Sequence, residues 1–406
     1  MIQQVNASGG IHDVSGFQCA GLAIGPQDKG RLGLVYAEDP ATVGRAVYTL
    51  NDVKAAPVLV SLEHDRAGAS KRAVLINSGA ANAFTGRQGM NDARACAAAA
   101  ATALGLAPTQ IYIGSTGSIG VPIPLDGILR SIGQLVANKA SGEPAARDFA
   151  NAIMTTDTRP KQASIRYSHD GATITLASVL KGAGMIMPNM ATMLCVVATD
   201  AAISPTMMDL ALHEAIAETF HRATVDGDTS TNDSVFLLAN GRAGNPVIEA
   251  RDAGYRAFVS HLTALLEHMV KEMIRDGEGM TKFITIHVRG VPTAAEGKRI
   301  AFSIANSPLV KTALFGEQMN WGRLMMAAGK AGTGLDFSDV DLAVNKIPIL
   351  KGSDLASPTA VAEGAASIKQ PTIEIELDLK QGPGAFTAWT CDFSIDYVKI
   401  NANYLT

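Results

Sequence analysis

Apolar and polar residues alternate most regularly toward the C-terminal end, where Ile373, Ile375, Leu377 and Leu379 are interleaved with Thr372, Glu374, Glu376 and Asp378. Period-two alternation of this length predicts a strand with one buried face. Gly382-Pro383-Gly384 then predicts a turn that sends the chain back. The same alternation at Ile284, Ile286 and Val288 predicts another strand, and short apolar runs rich in β-branched residues predict strands at 32–37, 46–50, 58–61, 73–77, 110–113, 163–167, 173–180 and 309–315. Residues 77–86 hold too much Gly, Asn and Ser for regular structure and read as a loop.

Helical spacing separates these runs. An Ala-rich segment at 92–104 has Asn91 to cap it and Gly105 to end it, and Ile128, Leu129, Ile132, Leu135 and Val136 share one face of a helix capped by Asp126. Ser204-Pro205 places a capping hydroxyl and a first-turn proline ahead of the stripe Met208, Leu212, Ala215, Ile216 and Phe220. A longer stripe runs through Phe258, Leu262, Leu265, Leu266, Met269 and Met273, Pro308 reads as a helix stop, and Asn320 opens one more helical segment. Strands and helices interleave throughout, so the fold class is α/β (α+β) with layered sheets.

One stretch breaks the pattern. Lys181-Gly-Ala-Gly-Met-Ile-Met-Pro-Asn-Met-Ala191 is a turn-forming segment with a single cation, and it runs directly into the apolar strand 192–197. Thr192 at that junction is either a local hydrogen-bonding residue or a nucleophile freed by cutting the chain before it. In the second case the new α-amine, titrating near roughly pH 8, is a base within reach of the hydroxyl. The same point divides the chain into segments 1–191 and 192–406.

Composition narrows the classes. With 406 residues, 47% of them hydrophobic and 18% charged, the chain is a globular one able to bury more than one core. A formal net charge of −4 without a basic patch gives no pull toward nucleic acid or anionic membrane. Cys19, Cys96, Cys195 and Cys391 are scattered, which argues against a disulfide scaffold or a paired-cysteine metal site and for a reducing, cytoplasmic setting. No secretory leader pattern or long apolar window is visible, so neither export nor a membrane span is expected.

Common chemistries fall away in turn. Gly114-x-x-Gly117-x-x-Gly120 has the wrong spacing for a dinucleotide loop, and Pro122 and Pro124 interrupt the helix it would need. Asp226-Gly-Asp-Thr-Ser-Thr-Asn-Asp233 resembles a calcium loop but has Thr231 and Leu237 where a glycine and a bidentate glutamate are required, so no metal is expected. His213 sits in a helical stripe without a second histidine four residues on, and Cys195 lies inside an apolar strand; both read as structural. What remains is a chemistry of Thr, Gly, Lys and Glu.

The segment Lys181 to Leu194 resembles the self-cleavage segment of the ornithine acetyltransferase (glutamate N-acetyltransferase) family of arginine biosynthesis. Ordered matches accompany it: Ser115-Thr-Gly117, Thr155-Thr-Asp-Thr158 with Pro160-Lys161, Asp226 to Ser234, Asp276-Gly-Glu-Gly279 with Thr281-Lys282, Asn320-Trp-Gly-Arg323 and Asn401 to Thr406. The resemblance implies a layered α-β-β-α sandwich of the ornithine acetyltransferase type, self-processed at Ala191-Thr192 into an α chain, 1–191, and a β chain, 192–406, that assemble as a dimer of αβ units. It implies that Thr192 accepts acetyl from N-acetylornithine and passes it to glutamate, that the Thr116 hydroxyl and Gly117 N–H stabilise the oxyanion, that Lys181 meets the substrate carboxylate, and that Glu278 meets the ornithine amines. Thr155, Asn401 and Thr406 complete the substrate pocket by the same resemblance. No cofactor is implied, and the residues leave open whether acetyl-CoA is a second donor. Phe315-Gly-Glu-Gln-Met-Asn320 and Asn403 depart from the family's usual residues without touching the nucleophile or oxyanion donors. An N-terminal-nucleophile amidase or aminopeptidase, passing the acyl group to water, and an uncleaved anion-binding protein are the alternatives.

Overall fold

The computed structural model describes residues 3–25, 30–187 and 193–403. In chain order the strands are β1 (Phe17–Ala23), β2 (Arg31–Ala37), β3 (Val43–Tyr48), β4 (Ala73–Ala80), β5 (Ile111–Ser118), β6 (Lys161–His169), β7 (Ala172–Lys181), β8 (Leu194–Thr199), β9 (Ser234–Ala239), β10 (Phe283–Val291), β11 (Asp341–Val344), β12 (Ile347–Lys351), β13 (Asp354–Leu355), β14 (Thr372–Asp378) and β15 (Gly384–Cys391). The helices are α1 (Ala56–Arg66), α2 (Gly86–Leu104), α3 (Leu125–Ala137), α4 (Glu143–Ala152), α5 (Pro205–Glu218), α6 (Ala253–Arg275), α7 (Ala294–Ala305), α8 (Pro308–Phe315), α9 (Trp321–Gly329), α10 (Ala360–Ser367) and α11 (Ile395–Asn403).

The strands form three sheets, in the orders β1-β2-β4-β5, β3-β9-β8-β7-β6 and β13-β12-β11-β14-β10-β15. Buried side chains on both faces of β8 explain its unbroken apolar run: Leu194, Val196 and Ala198 face the four-stranded sheet through Val35, Val74 and Tyr112, while Cys195 and Val197 face helices. The outer face of the five-stranded sheet is covered by α5 and α6, which contribute Leu212, Ile216, Phe258, Leu262 and Leu265. The outer face of the four-stranded sheet is covered by α2 and α3 through Ala100, Ile128, Ile132 and Leu135. Each such large side chain contributes roughly 1.5–3 kcal/mol on burial. These layers make the α-β-β-α sandwich. The six-stranded sheet is an additional body that packs Ile284, Ile286, Val288, Ile373 and Ile375 against Ile300 and Ile304 of α7 and Leu324 of α9.

Local signals act where expected at several ends. Ser204 accepts the Met207 N–H and Pro205 opens α5, Asn320 accepts the Arg323 N–H at the start of α9, and Gly105 closes α2 with φ 67°. Several expectations are overturned. Residues 58–61 and 309–315 are helical, within α1 and α8, because Pro57 and Pro308 stand in the first turn, where the missing N–H costs nothing and the fixed φ favours a helix start. The loop expected at 77–86 is shorter: β4 continues through Asn77, Ser78 and Gly79 to Ala80, and α2 begins at Gly86 after Thr85. Asp126 lies in the first turn of α3, with Pro124 in the capping position. β15 does run back antiparallel, but beside β10, which lies between it and β14.

Cys195 is a core residue, its thiol pushed up to about 12 by burial. His213 is exposed on α5 with Nδ1 on the Asp209 carbonyl. Among the described residues there is no group of three or more His, Cys, Asp or Glu side chains that could hold a metal ion, and no helix long and apolar enough to cross a membrane.

Candidate active site

The parallel strands β4 and β5 lose register at their C-terminal ends, where Ala80 faces both Thr116 and Ser118. Gly117 makes the irregularity possible: with φ 129° and space for a Cβ only 2.3 Å from the Gly79 carbonyl carbon, the position admits glycine alone. Thr116, almost wholly buried, and Gly117 are thereby turned toward a cavity of about 450 Å³. Asn232 holds this end together from the other half of the chain, its Nδ2 donating to the carbonyls of Ala81 at 2.6 Å and Ser115 at 2.8 Å.

Lys181, the last residue of β7, lies opposite Leu194 in the β7–β8 ladder and lines the same cavity. Burial lowers the pKa of its ammonium, against the pull of Asp157, Glu278 and Asp233. Asp157 accepts the Gly182 N–H at 2.8 Å and the Thr155 N–H at 3.1 Å, so one carboxylate anchors both the segment after Lys181 and the turn that carries Thr155. Burial alone would raise the Asp157 carboxyl; Lys181, Lys161 and the Gly182 N–H bring it below its ordinary value.

Beyond Gly182, Ala183 accepts the Glu278 N–H at 2.9 Å. Gly184 lies against the Glu278 carboxylate, and a Cβ there would stand 2.4 Å from its Cδ and Oε2. Asn401, on α11, donates to Glu278 Oε2 at 2.8 Å. Met185 adopts φ 57°, rare for a side-chain-bearing residue, and is held by its N–H on Asp226 Oδ2 at 2.7 Å. Asp226 also accepts the Ile186 N–H at 2.8 Å and the Tyr397 hydroxyl at 3.4 Å. At the start of β8, the Met193 N–H donates to Asp233 Oδ1 at 2.9 Å, and burial pushes this carboxyl well above the usual carboxylate range.

Six of the residues singled out in the sequence, Thr116, Gly117, Thr155, Lys181, Glu278 and Asn401, therefore line one cavity although 285 positions separate the first from the last. Ala191, Thr192 and Thr406 lie outside the described residues. Sequence reasoning missed Asp226, Asn232 and Tyr397. The first two sit in the block 226–234, rejected as a calcium loop and matched to the family without a role for any one residue; Tyr397 gave no signal. The described lining carries one cation, Lys181, and the carboxylates Asp226, Asp228 and Glu278. Such a set suits a small molecule bearing one carboxylate and a cationic amine, beside a hydroxyl and a peptide N–H able to meet an oxyanion.

Known proteins share this chain almost from end to end. A family model described as the ArgJ family matches residues 18–406. The chain is 44% identical over 405 residues to the arginine biosynthesis bifunctional protein ArgJ of Symbiobacterium thermophilum, covering 98% of this chain and 99% of that one. It is 42% identical over 396 residues to the protein of the same name from Geobacter sulfurreducens, covering 97% and 100%. Among solved structures, the ornithine acetyltransferase complexed with ornithine from Mycobacterium tuberculosis is 36% identical with a TM-score of 0.42, covering 46% of this chain and 98% of that chain. The chain belongs to the ArgJ family of arginine-biosynthesis enzymes.

Proposed function

We propose that this chain transfers an acetyl group from N-acetylornithine to glutamate through an acetyl ester on Thr192, after cutting itself at Ala191-Thr192. In the cut, the Thr192 hydroxyl oxygen attacks the Ala191 carbonyl carbon and the C–N bond breaks, leaving an ester and a free α-amine. Water then hydrolyses the ester, giving the Ala191 carboxylate and the restored hydroxyl. In turnover, that hydroxyl attacks the acetyl carbonyl while the α-amine takes its proton and returns it to the departing amine of ornithine. The Thr116 hydroxyl and the Gly117 N–H donate to the oxyanion, an interaction worth roughly 10²–10³ in rate per donor. Lys181 pairs with the α-carboxylate, and Glu278, oriented by Asn401, receives the cationic side-chain amine. Glutamate then attacks the ester through its own amine. Thr155 and Thr406 complete the pocket, and the cycle needs no cofactor. The relatives' designation as bifunctional supports acetyl-CoA as a second donor at the same hydroxyl, with its thiol leaving in place of ornithine. The working assembly is a pair of αβ units in the cytoplasm, the latter supported by four buried, unpaired cysteines.

The observation that carries this reading is the single cavity in which Thr116, Lys181 and Glu278 converge from both sides of the bond proposed to be cut. Thr192→Ala is expected to leave one band at 42.3 kDa on a denaturing gel and no acetyl transfer, whereas Thr192→Ser is expected to process. Efficient cleavage of the alanine variant removes Thr192 from the mechanism. Ornithine release that does not accelerate with glutamate would replace transfer by hydrolysis.

A further inference from the structure

Lys161 does not line the cavity, yet three segments of the cavity wall depend on it. Its side chain is fully buried at the start of β6, and its ammonium touches Asp157 Oδ1 at 2.7 Å and Asp276 Oδ2 at 2.5 Å. Both carboxylates are themselves out of solvent; the ammonium between them offsets both buried negative charges, with Lys181 acting on Asp157 as well. Each carboxylate then holds a different piece of the wall. Asp157 accepts the N–H groups of Thr155 and Gly182, fixing the 154–158 turn and the segment that follows Lys181. Asp276, at the end of α6, accepts the Thr158 N–H at 3.2 Å and the Thr158 hydroxyl, and it stands two residues before Glu278. The Glu278 N–H closes the circuit on Ala183.

We infer that Lys161 is the positioning residue of this cavity: by clamping Asp157 to Asp276 it sets how far Thr155 and Lys181 stand from Glu278. The inference rests on the reading of the cavity as the acetyl-transfer site. Under that reading Lys161 and Asp157 belong to one product of the cut and Asp276 to the other, so the Lys161–Asp276 and Thr158–Asp276 bonds also join the two chains beside the substrate. Lys161 moves no proton and meets no substrate. Its effect is on where the carboxylate and amine partners of the substrate sit, and so on KM.

The test is steady-state kinetics with N-acetylornithine and glutamate on wild type, Lys161→Met, Asp276→Asn and the double variant, each checked for cleavage and thermal stability. Lys161→Met leaves two buried carboxylates facing one another; KM for N-acetylornithine is expected to rise roughly ten-fold or more, with a smaller change in kcat. Adding Asp276→Asn removes one of the two charges and supplies an amide able to donate to Asp157, so the double variant is expected to recover much of that KM. A merely structural lysine would instead lower the melting temperature and the active fraction, reducing kcat with KM unmoved, and the second substitution would bring no recovery; either result overturns the inference. If Lys161→Met does not fold, Asp276→Asn alone carries the test: it keeps an acceptor for Thr158 and withdraws one partner from the ammonium, and KM equal to wild type overturns the inference. Wild-type enzyme that transfers no acetyl between these substrates refutes the functional reading itself, a result distinct from any ratio between variants.

Discussion

Gly184→Ala is the sharpest probe of the cavity wall, because it adds one methyl group at a position whose backbone takes alanine without strain. The residue does not have a positive φ, so the whole effect is steric. The new Cβ would lie 2.4 Å from the Glu278 carboxylate, where ordinary contact needs 3.4 Å or more, so the carboxylate must retreat by about 1 Å. That retreat breaks the 2.8 Å bond from Asn401 and moves the negative charge from where a substrate amine would meet it. A misplacement of this size costs on the order of 10² in kcat/KM, or about 2.7 kcal/mol at the transition state. Initial-rate measurements of ornithine release with N-acetylornithine should show the loss, while thermal melting should change little, since Gly184 belongs to no helix or strand. Adding Glu278→Asp shortens the side chain by one methylene and relieves the clash, so the double variant should lose much less than the product of the two single losses. A Gly184→Ala enzyme within three-fold of wild type, or one whose loss is matched by a collapse in melting temperature, would refute the reasoning.

Three further outcomes follow from individual residues. Gly133→Ala, at an exposed site in α3 where a Cβ meets nothing within 4 Å, should stabilise the protein by about 1 kcal/mol in urea melts and leave turnover unchanged. Thr116→Ala should slow acetyl release by roughly 10²–10³ in single-turnover experiments while Thr116→Ser stays near wild type; equal rates for alanine and serine would remove the hydroxyl from the oxyanion site. Burial lowers His221 from 6.5 to about 4, with Lys298 and His213 acting in the same direction. The folded imidazole stays neutral where the unfolded one takes a proton, so stability is lost as pH falls from 6.5 toward 4. His221→Gln should flatten that acid limb by on the order of 2 kcal/mol, allowing for the ring's partial exposure, as measured by chemical denaturation across that range.

What could be read from the sequence depended on whether the deciding interaction was local. The alternation through Ile373 and Ile375 and the stripe from Phe258 to Met273 gave β14 and α6, because burial of one face is written in a fixed period. Val58 and Val60 and the run after Leu309 misled, because a short apolar run fits either period and the flanking prolines start helices there. The site was legible as a set of residue types, but its closeness was not. The segment after Lys181 meets Glu278 through the Ala183 carbonyl and the Asp157–Lys161–Asp276 contacts, and Tyr397 reaches Asp226 from the first turn of α11, ahead of the Asn401 block. Long-range polar contacts of this kind leave no period along a chain.

The order of the five-stranded sheet, β3-β9-β8-β7-β6, shuffles strands from the two sides of residue 191 like cards from two hands. Neither half of the chain owns this sheet: β8 and β9, from one half, are slotted between β3 and β7, from the other, so the β3–β9 and β7–β8 ladders both join the two halves. Two separately made polypeptides ending and beginning at this point would have to build these five strands into one sheet between them. The covalent link therefore matters as a tether during biosynthesis, raising the effective concentration of one half for the other. Once the strands are interleaved, the β3–β9 and β7–β8 ladders hold the two halves together, as the cut proposed at Ala191-Thr192 would require.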